Sequence, residues 1–180
     1  VQTCALPISA WAIGCGLGTE LSDLVCPVFF RLAGEYPRPG LIDADGLNFL
    51  SRNPEALSPL SIAPVITPHP GEAARLLCTS VGQVQAGRIQ AAQALCRRFG
   101  TVSLLKGAAT VICAPGSGAE TAINPTGNPG MAKGGSGDVL SGIIGALLAQ
   151  GLKAFWAAVC GAYIHGMAGD MGRERLSARA

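Results

Sequence analysis

The chain has 180 residues and a formal net charge of +2, with 49% hydrophobic and 13% charged residues. This length suits a single domain, and such an apolar composition argues against disorder and leaves no charge excess that would indicate nucleic-acid binding. No apolar run approaches the roughly 18 residues that a membrane span requires. Seven cysteines without a Cys-x-x-Cys pair, and only two histidines, predict free thiols in a reducing cytoplasm and no zinc site.

The two ends of the chain are interpreted separately from its middle. Residues 1–8 carry no charge and no basic segment of a signal peptide, and they resemble the translation of a common sequencing adapter. We therefore expect residues 1–9 to be an artefact and residues 10–180 to form a partial domain. A helical pattern stops close to the C-terminus without a closing element, which predicts truncation at both ends.

The first half of the chain alternates short apolar strands with helices. Each predicted strand ends in glycine or polar residues, and Thr19 is predicted to cap the first helix. In chain order, the predicted elements are a strand from Ala10 with a glycine turn at 14–18, a helix over 19–33, a strand over 41–45, a helix over 46–52, a strand over 63–67 and a helix that opens at His69.

The second half begins with a helix predicted over 81–99, which Ser80 caps. It continues with strands over 101–105, 110–114 and 121–124 and with helices over 136–149 and 153–171. The alternation is typical of a doubly wound α/β fold, with a mostly parallel sheet flanked by helices. Because short turns join the last three strands, we expect them to form an antiparallel edge. Ligands bind beyond the carboxyl ends of the strands in such sheets.

The most informative segment is the glycine-rich turn Gly134-Gly135-Ser136-Gly137, which leads through Asp138 into an apolar helical pattern. Glycines allow backbone N–H groups to crowd around an anion, and the helix directs the positive end of its dipole to the same place. A carboxylate beside a bound phosphate can deprotonate a hydroxyl that accepts the phosphoryl group. The alternative interpretation is an ordinary helix start, in which Asp138 only complements the dipole.

Four further segments each follow a predicted strand. They are Gly14–Gly18, Asp43–Asn48, Thr67–Glu72 and Lys106–Thr110. The glycine turn with Asp138 resembles the anion-hole and base motif of the ribokinase-like superfamily. Together and in this order, the five segments resemble the ADP- or ATP-dependent NAD(P)H-hydrate dehydratase family, a kinase-like repair domain that in many bacteria is fused to an NAD(P)H-hydrate epimerase. The resemblance covers about residues 10–170 and implies an incomplete ribokinase-like fold.

The resemblance implies a hydro-lyase reaction in nicotinamide nucleotide repair. ADP or ATP, with Mg²⁺, phosphorylates the hydroxyl of hydrated NADH or NADPH, and phosphate then leaves to restore the double bond. It also implies a cytoplasmic homo-oligomer. One alternative is a ribokinase-like kinase of a small vitamin-precursor alcohol, and another is an inactive fragment that only binds nucleotide.

Site residues follow from the resemblance, position by position. Asp138 is the expected base, and the hydrated dinucleotide is expected to contact it together with Gly16, Gly18 and His69. The expected contacts to nucleotide and phosphate are Lys106, Gly107, Ala108, Ala109, Thr110, Gly134, Gly135, Ser136 and Gly137. Ala109 and Cys15 stand where the family often has glycine and proline.

Several neighbouring polar residues have two open interpretations. His69 also suits a structural hydrogen bond, and Glu72 suits either a helix cap or a water-mediated contact with Mg²⁺. Asp45 and Asn48 are expected to line the same cleft, whereas Asp43 also suits a strand-end turn. No metal ligand is assigned, and His165 is interpreted as a core or interface residue.

Overall fold

The computed structural model describes residues 9–116 and 120–176 of the chain. Residues 1–8, which carry most of the expected artefact, lie outside the described residues. The strands are β1 Trp11–Ile13, β2 Gly40–Ile42, β3 Val65–Ile66, β4 Val102–Leu105, β5 Thr110–Cys113 and β6 Thr121–Asn124. The helices are α1 Thr19–Glu35, α2 Ala44–Arg52, α3 Pro70–Leu77, α4 Val81–Ala86, α5 Arg88–Phe99, α6 Ser136–Ala149 and α7 Ala154–Leu176.

The six strands form one sheet in the order β1-β2-β3-β4-β5-β6. Strands β1 to β4 are parallel, with Ile42 opposite Ile13 on one side and opposite Ile66 on the other. Strands β5 and β6 return antiparallel to their neighbours. The predicted mostly parallel sheet with an antiparallel edge is therefore confirmed.

Helices cover both faces of the sheet. Successive strand residues point to opposite faces, so Ile42 packs in the core beneath α1–α5 and Leu41 packs in the core beneath α6 and α7. Both residues are fully buried. Strands buried on two faces explain the continuous apolar runs from which the α/β fold was predicted. Among the described residues, no helix is both long and apolar enough to cross a membrane.

The structure corrects two predictions about the helices. The helix expected over 81–99 is two helices, because Gly87 adopts φ −137° and ψ 62° between α4 and α5. The predicted cap at Ser80 is confirmed, since its hydroxyl accepts from the Gln83 N–H in a capping box. Thr19 does not cap α1: Gly18 holds that position at φ 70° with no side-chain cap.

Candidate active site

The carboxyl ends of β1 to β4 meet at one edge of the sheet, where α6 begins. The Asp45 N–H donates to the Gly14 carbonyl after β1, and the Gly18 N–H donates to Asp45 Oδ2 at 2.8 Å. An ideal Cβ on Gly14, at φ +120°, would lie 1.8 Å from the Asp43 carbonyl oxygen. Glycine is therefore required at position 14 for the two strand ends to approach each other.

The glycine turn ends in an uncapped helix. Gly135 precedes α6 in the left-handed conformation, with φ 84° and no side-chain hydrogen bond to the first turn. Ideal Cβ atoms on Gly134 and Gly135 meet nothing within 4 Å, so space above the turn is open. The first-turn amides and the dipole of α6 thus form a site suited to an anion.

Asp138 lies in the first turn of α6 and is exposed. Three atoms lie within 4.8 Å of one another here: a carboxylate oxygen of Asp138, the Cys15 Sγ and a carboxylate oxygen of Asp43. Although Cys15 is exposed as a residue, loss of water around its thiol raises its pKa to about 11, and the negative charges of Asp43 and Asp138 add to the effect. Cys15 therefore faces the predicted base as a protonated thiol at neutral pH.

A buried carboxylate joins three elements beneath this turn. Asp43 is 1% exposed and accepts from the Ala44 N–H at the start of α2. Lys106 Nζ donates to its Oδ1 at 2.8 Å, and Ser141 Oγ donates to its Oδ2 at 2.8 Å. Asp43 is therefore more than a strand-end turn residue, because it holds the ends of β2 and β4 against α6.

His69 and Glu72 form a capping box at the start of α3. His69 Nδ1 accepts from the Gly71 and Glu72 N–H groups at 3.0 and 3.3 Å, and the His69 N–H donates to Glu72 Oε2 at 2.7 Å. The structural interpretations of both residues are therefore confirmed. Glu72 also lies 4.0 Å from Lys106 Nζ, and half of the His69 side chain remains exposed.

A cleft of about 740 Å³ opens beside the turn. Most of the residues predicted to contact nucleotide and phosphate line it. They are Lys106, Gly107, Ala108, Ala109, Thr110, Gly134, Ser136 and Gly137, and His69 joins them. The cleft is large enough for a nucleotide-sized ligand.

The remaining predicted residues lie outside the lining of this cleft. Gly16 and Gly18 have open space around them, and Asp45 accepts hydrogen bonds from the Gly18 N–H and from Asn48 Nδ2. Asn48 Oδ1 in turn accepts from Arg75. Gly135, Glu72 and Asp138 are also absent from the lining. The predicted site residues thus form two groups, one in the cleft and one around the 14–18 loop with Asp138. The first turn of α6 contributes to both groups, with Ser136 and Gly137 in the cleft and Asp138 beside the loop.

Residues 3–178 match a family model described as NAD(P)H-hydrate dehydratase. The chain belongs to the NAD(P)H-hydrate dehydratase family. The resemblance predicted from the five segments is thereby confirmed.

Individual relatives agree with this membership. The chain is 46% identical over 169 residues to the ADP-dependent (S)-NAD(P)H-hydrate dehydratase of Neisseria meningitidis, covering 93% of this chain and 56% of that protein. It is 45% identical over 175 residues to a bifunctional NAD(P)H-hydrate repair enzyme of Moorella thermoacetica, covering 96% of this chain and 32% of that protein. These names support the dehydratase interpretation and not the vitamin-precursor kinase.

A solved structure supports the fold. An ADP/ATP-dependent NAD(P)H-hydrate dehydratase from Bacillus subtilis, co-crystallised with ATP/Mg²⁺, matches with a TM-score of 0.75 and 29% identity, covering 96% of this chain and 58% of that chain. The chain thus spans between about a third and just over half of the length of these relatives.

The sequence of this NAD(P)H-hydrate dehydratase family member did not predict two residues of the candidate site, His165 and Ser141. His165 lines the cleft, and its Nε2 lies 3.4 Å from Ser136 Oγ. Burial lowers the pKa of His165, which favours its neutral form. A histidine on an apolar helix gives no sequence signal of this contact. Ser141 could have been noticed, because it lies one helical turn after Asp138.

Proposed function

We propose that the protein carrying this chain converts hydrated NADH or NADPH back to the intact dinucleotide at the expense of ADP or ATP. The observation that supports the proposal most strongly is the start of α6. Its first-turn amides have no side-chain cap and follow a glycine turn, the 740 Å³ cleft lies beside them, and Asp138 stands in the same helical turn. A phosphoryl group held by these amides would be within reach of both a nucleotide in the cleft and a hydroxyl beside Asp138.

The chemistry requires two steps. The ring hydroxyl of the hydrate gives its proton to a base and its oxygen attacks the terminal phosphorus of the donor, whose bond to the bridging oxygen breaks. Phosphate then leaves from this ester with both electrons of the carbon–oxygen bond, and a proton departs from the neighbouring carbon as the double bond forms. Phosphate is a better leaving group than hydroxide, so phosphorylation lowers the elimination barrier.

Each candidate residue has a role in this scheme. Asp138 accepts the hydroxyl proton, because it is the exposed carboxylate of the first turn of α6. The amides of Ser136 and Gly137 stabilise the charge that develops on the phosphoryl oxygens. The turn 106–110 and Gly134 contact the donor, and His69, Gly16 and Gly18 contact the hydrated dinucleotide.

The carboxylates beside the cleft suit Mg²⁺. This ion prefers oxygen ligands and usually uses one or two carboxylates together with phosphate oxygens and water. Glu72 is 6% exposed, and its Oε2 lies 4.0 Å from Lys106 Nζ at the cleft. We propose that Glu72 holds Mg²⁺ through water, where the ion would neutralise charge on the donor phosphates. Cys15 is a poor ligand for so hard a cation, so the group Cys15–Asp43–Asp138 is not proposed as the magnesium site.

The phosphoryl donor, the partner activity, the cellular compartment and the oligomeric state are also proposals. The name of the Neisseria relative favours ADP as the donor. The bifunctional relative supports a partner activity, which we propose to be an NAD(P)H-hydrate epimerase, fused or separate. The six described cysteines are free, as expected for the cytoplasm. A homo-oligomer is proposed from the resemblance alone.

Substitution of the expected base tests the proposal directly. In Asp138→Asn we expect the recovery of NADH absorbance from its hydrate to fall at least 100-fold, because the amide cannot accept the proton. The assay is run with ADP, with ATP and with neither, and the unfolding midpoint is measured in parallel. Glu20→Gln is the matched control, because Glu20 is an exposed first-turn acid of α1 and is not one of the predicted site residues.

Three outcomes would contradict the proposal. Near-normal recovery in Asp138→Asn would remove the base. A phosphorylated product that accumulates without NADH recovery would favour a small-molecule kinase. Thermal stabilisation of the wild-type protein by nucleotide without turnover would favour an inactive nucleotide-binding fragment.

A further inference from the structure

Asp43 is a buried carboxylate that no substrate can reach. It is 1% exposed, whereas Lys106, which lines the cleft, is its ion-pair partner at 2.8 Å. Burial of an unpaired carboxylate is costly, so the lysine and the two further donors on Asp43 are needed to hold it there. The pair therefore connects the inside of the sheet edge to the wall of the cleft.

The ammonium group of Lys106 lies at the start of α6. An ideal Cβ on Gly137 would lie 3.6 Å from Lys106 Nζ and 3.6 Å from Asp43 Oδ2, so the pair lies directly against the first turn. The nearest other carboxylate oxygen, Glu72 Oε2, is 4.0 Å from the same ammonium. The lysine is thus immobilised where its charge adds to the positive end of the helix dipole.

We infer that Asp43 is a positioning residue for the nucleotide donor: by binding Lys106 on one oxygen and Ser141 of α6 on the other, it sets the lysine ammonium and the first-turn amides of α6 in one arrangement. The inference deepens the proposed function and rests on it. A lysine has four rotatable side-chain bonds, and fixing it before the ligand arrives removes that ordering cost from binding.

Two effects of Asp43 must be separated in any test. Its negative charge repels a nearby phosphate, and this repulsion weakens nucleotide binding whether or not Lys106 is present. Its hold on Lys106 strengthens binding, and only while the lysine is present. A double-mutant cycle cancels the first effect and isolates the second.

The experiment measures the dissociation constant of ADP by calorimetry for wild type, Asp43→Asn, Lys106→Met and the double variant. We expect Asp43→Asn to weaken ADP binding about tenfold more in the wild-type background than in the Lys106→Met background. Asp43→Glu keeps the charge but moves the carboxylate, and it provides a second cycle with the same expectation if Asp43→Asn does not fold. Ser141→Ala shows what loss of the α6 hydrogen bond alone contributes.

The outcomes distinguish this inference from the proposed function. Equal effects of Asp43→Asn in the two backgrounds would overturn the inference even where NADH is recovered normally. Absence of ADP binding by the wild-type protein would overturn it as well. A tenfold coupling together with failure to recover NADH would support the role of Asp43 while contradicting the proposed substrate.

Discussion

The thiol of Cys15 shows how burial and neighbouring charges together set the chemistry of one residue. Loss of water around the thiol, followed by the charges of Asp43 and Asp138, raises its pKa from 9.0 to about 11. Because the folded protein favours the protonated form, this effect stabilises the fold below about pH 9 and is lost as the pH rises through 11. The cysteine is therefore unreactive beside the expected base.

Thiol alkylation tests this environment. At pH 8 we expect Cys15 to react with iodoacetamide about 100-fold more slowly in the folded chain than in urea, because the thiolate reacts and its fraction falls tenfold for each pKa unit. Peptide mass spectrometry would follow the modification, with exposed Cys78 as the internal comparison. Asp138→Asn should accelerate the reaction, and equal rates in folded and unfolded chain would contradict the raised pKa of the thiol.

Ala109 is a residue whose backbone conformation matters more than its side chain. It has φ 52° in the turn between β4 and β5, although it is exposed and could be glycine without loss of packing. An L-residue in this region is disfavoured by about 1–2 kcal/mol relative to the right-handed region. The expectation of glycine at this position therefore has a steric reason.

Glycine at position 109 should stabilise the chain. We expect Ala109→Gly to raise the free energy of unfolding by about 0.5–1 kcal/mol, since relief of the left-handed conformation outweighs the added entropy of the unfolded state. Ala108→Gly is the control, because Ala108 shares the turn without a positive φ and should lose stability. Chemical denaturation measures both, and a less stable Ala109→Gly would contradict the argument.

At the scale of elements, α7 organises the loop that covers one side of the cleft. Asp170 on α7 accepts from the Gly127 N–H at 2.8 Å and from Asn128 Nδ2 at 3.0 Å. Close packing requires small residues on the helix, because a Cβ on Gly166 would lie 2.1 Å from Thr126 Oγ1. The hydrogen bonds from Asn128 and then Gly127 lower the pKa of Asp170 below 3.8. Their stabilising effect is present above that pH and is lost as the pH falls through the lowered pKa.

Loss of one acceptor on Asp170 should loosen this loop without unfolding the domain. In Asp170→Asn we expect the Gly127 amide to exchange with deuterium about tenfold faster, with a nearly unchanged unfolding midpoint. Asp23→Asn is the control, because Asp23 is an exposed carboxylate that pairs with Arg52 and lies outside the cleft lining. Unchanged exchange at Gly127 would show that packing against Gly166 alone holds the loop.

The break between α4 and α5 also belongs to this scale. The apolar spacing over 81–99 continues through Gly87, so periodicity alone predicts one helix. In the fold, Arg88 begins α5 and donates to the Leu105 and Lys106 carbonyls at 3.0 and 3.2 Å. Gly87, a weak helix former, is the local sign of a break, and the contacts of Arg88 across 17 and 18 positions accompany the start of the second helix.

At the scale of the whole molecule, the sheet separates two cores, and the candidate site lies at the sheet edge between them. The core beneath α1–α5 and the core beneath α6 and α7 share the strands but no helix. Crossover connections place α1–α5 on one face, and the chain reaches the other face only after β6. For this reason the start of α6 comes to lie over the ends of strands that are far earlier in the sequence.

Local chemistry determined much of this protein from the sequence alone. Apolar strands between amphipathic helices predicted the mixed sheet, the short turns predicted its antiparallel edge, and the glycines before Asp138 predicted an open helix start. The strand-end segments predicted the family. Each of these depends on residues close together in the chain, where spacing and side-chain type suffice.

Tertiary structure alone decided how those pieces are joined. Lys106 and Asp43 are separated by 63 positions and Ser141 and Asp43 by 98, so no spacing in the sequence indicates that one buried carboxylate binds both. The same holds for His165 beside Ser136. Hydrogen bonds and desolvation act through space, and the partners of a buried charge are set by which strand ends and helix starts the packed sheet brings together.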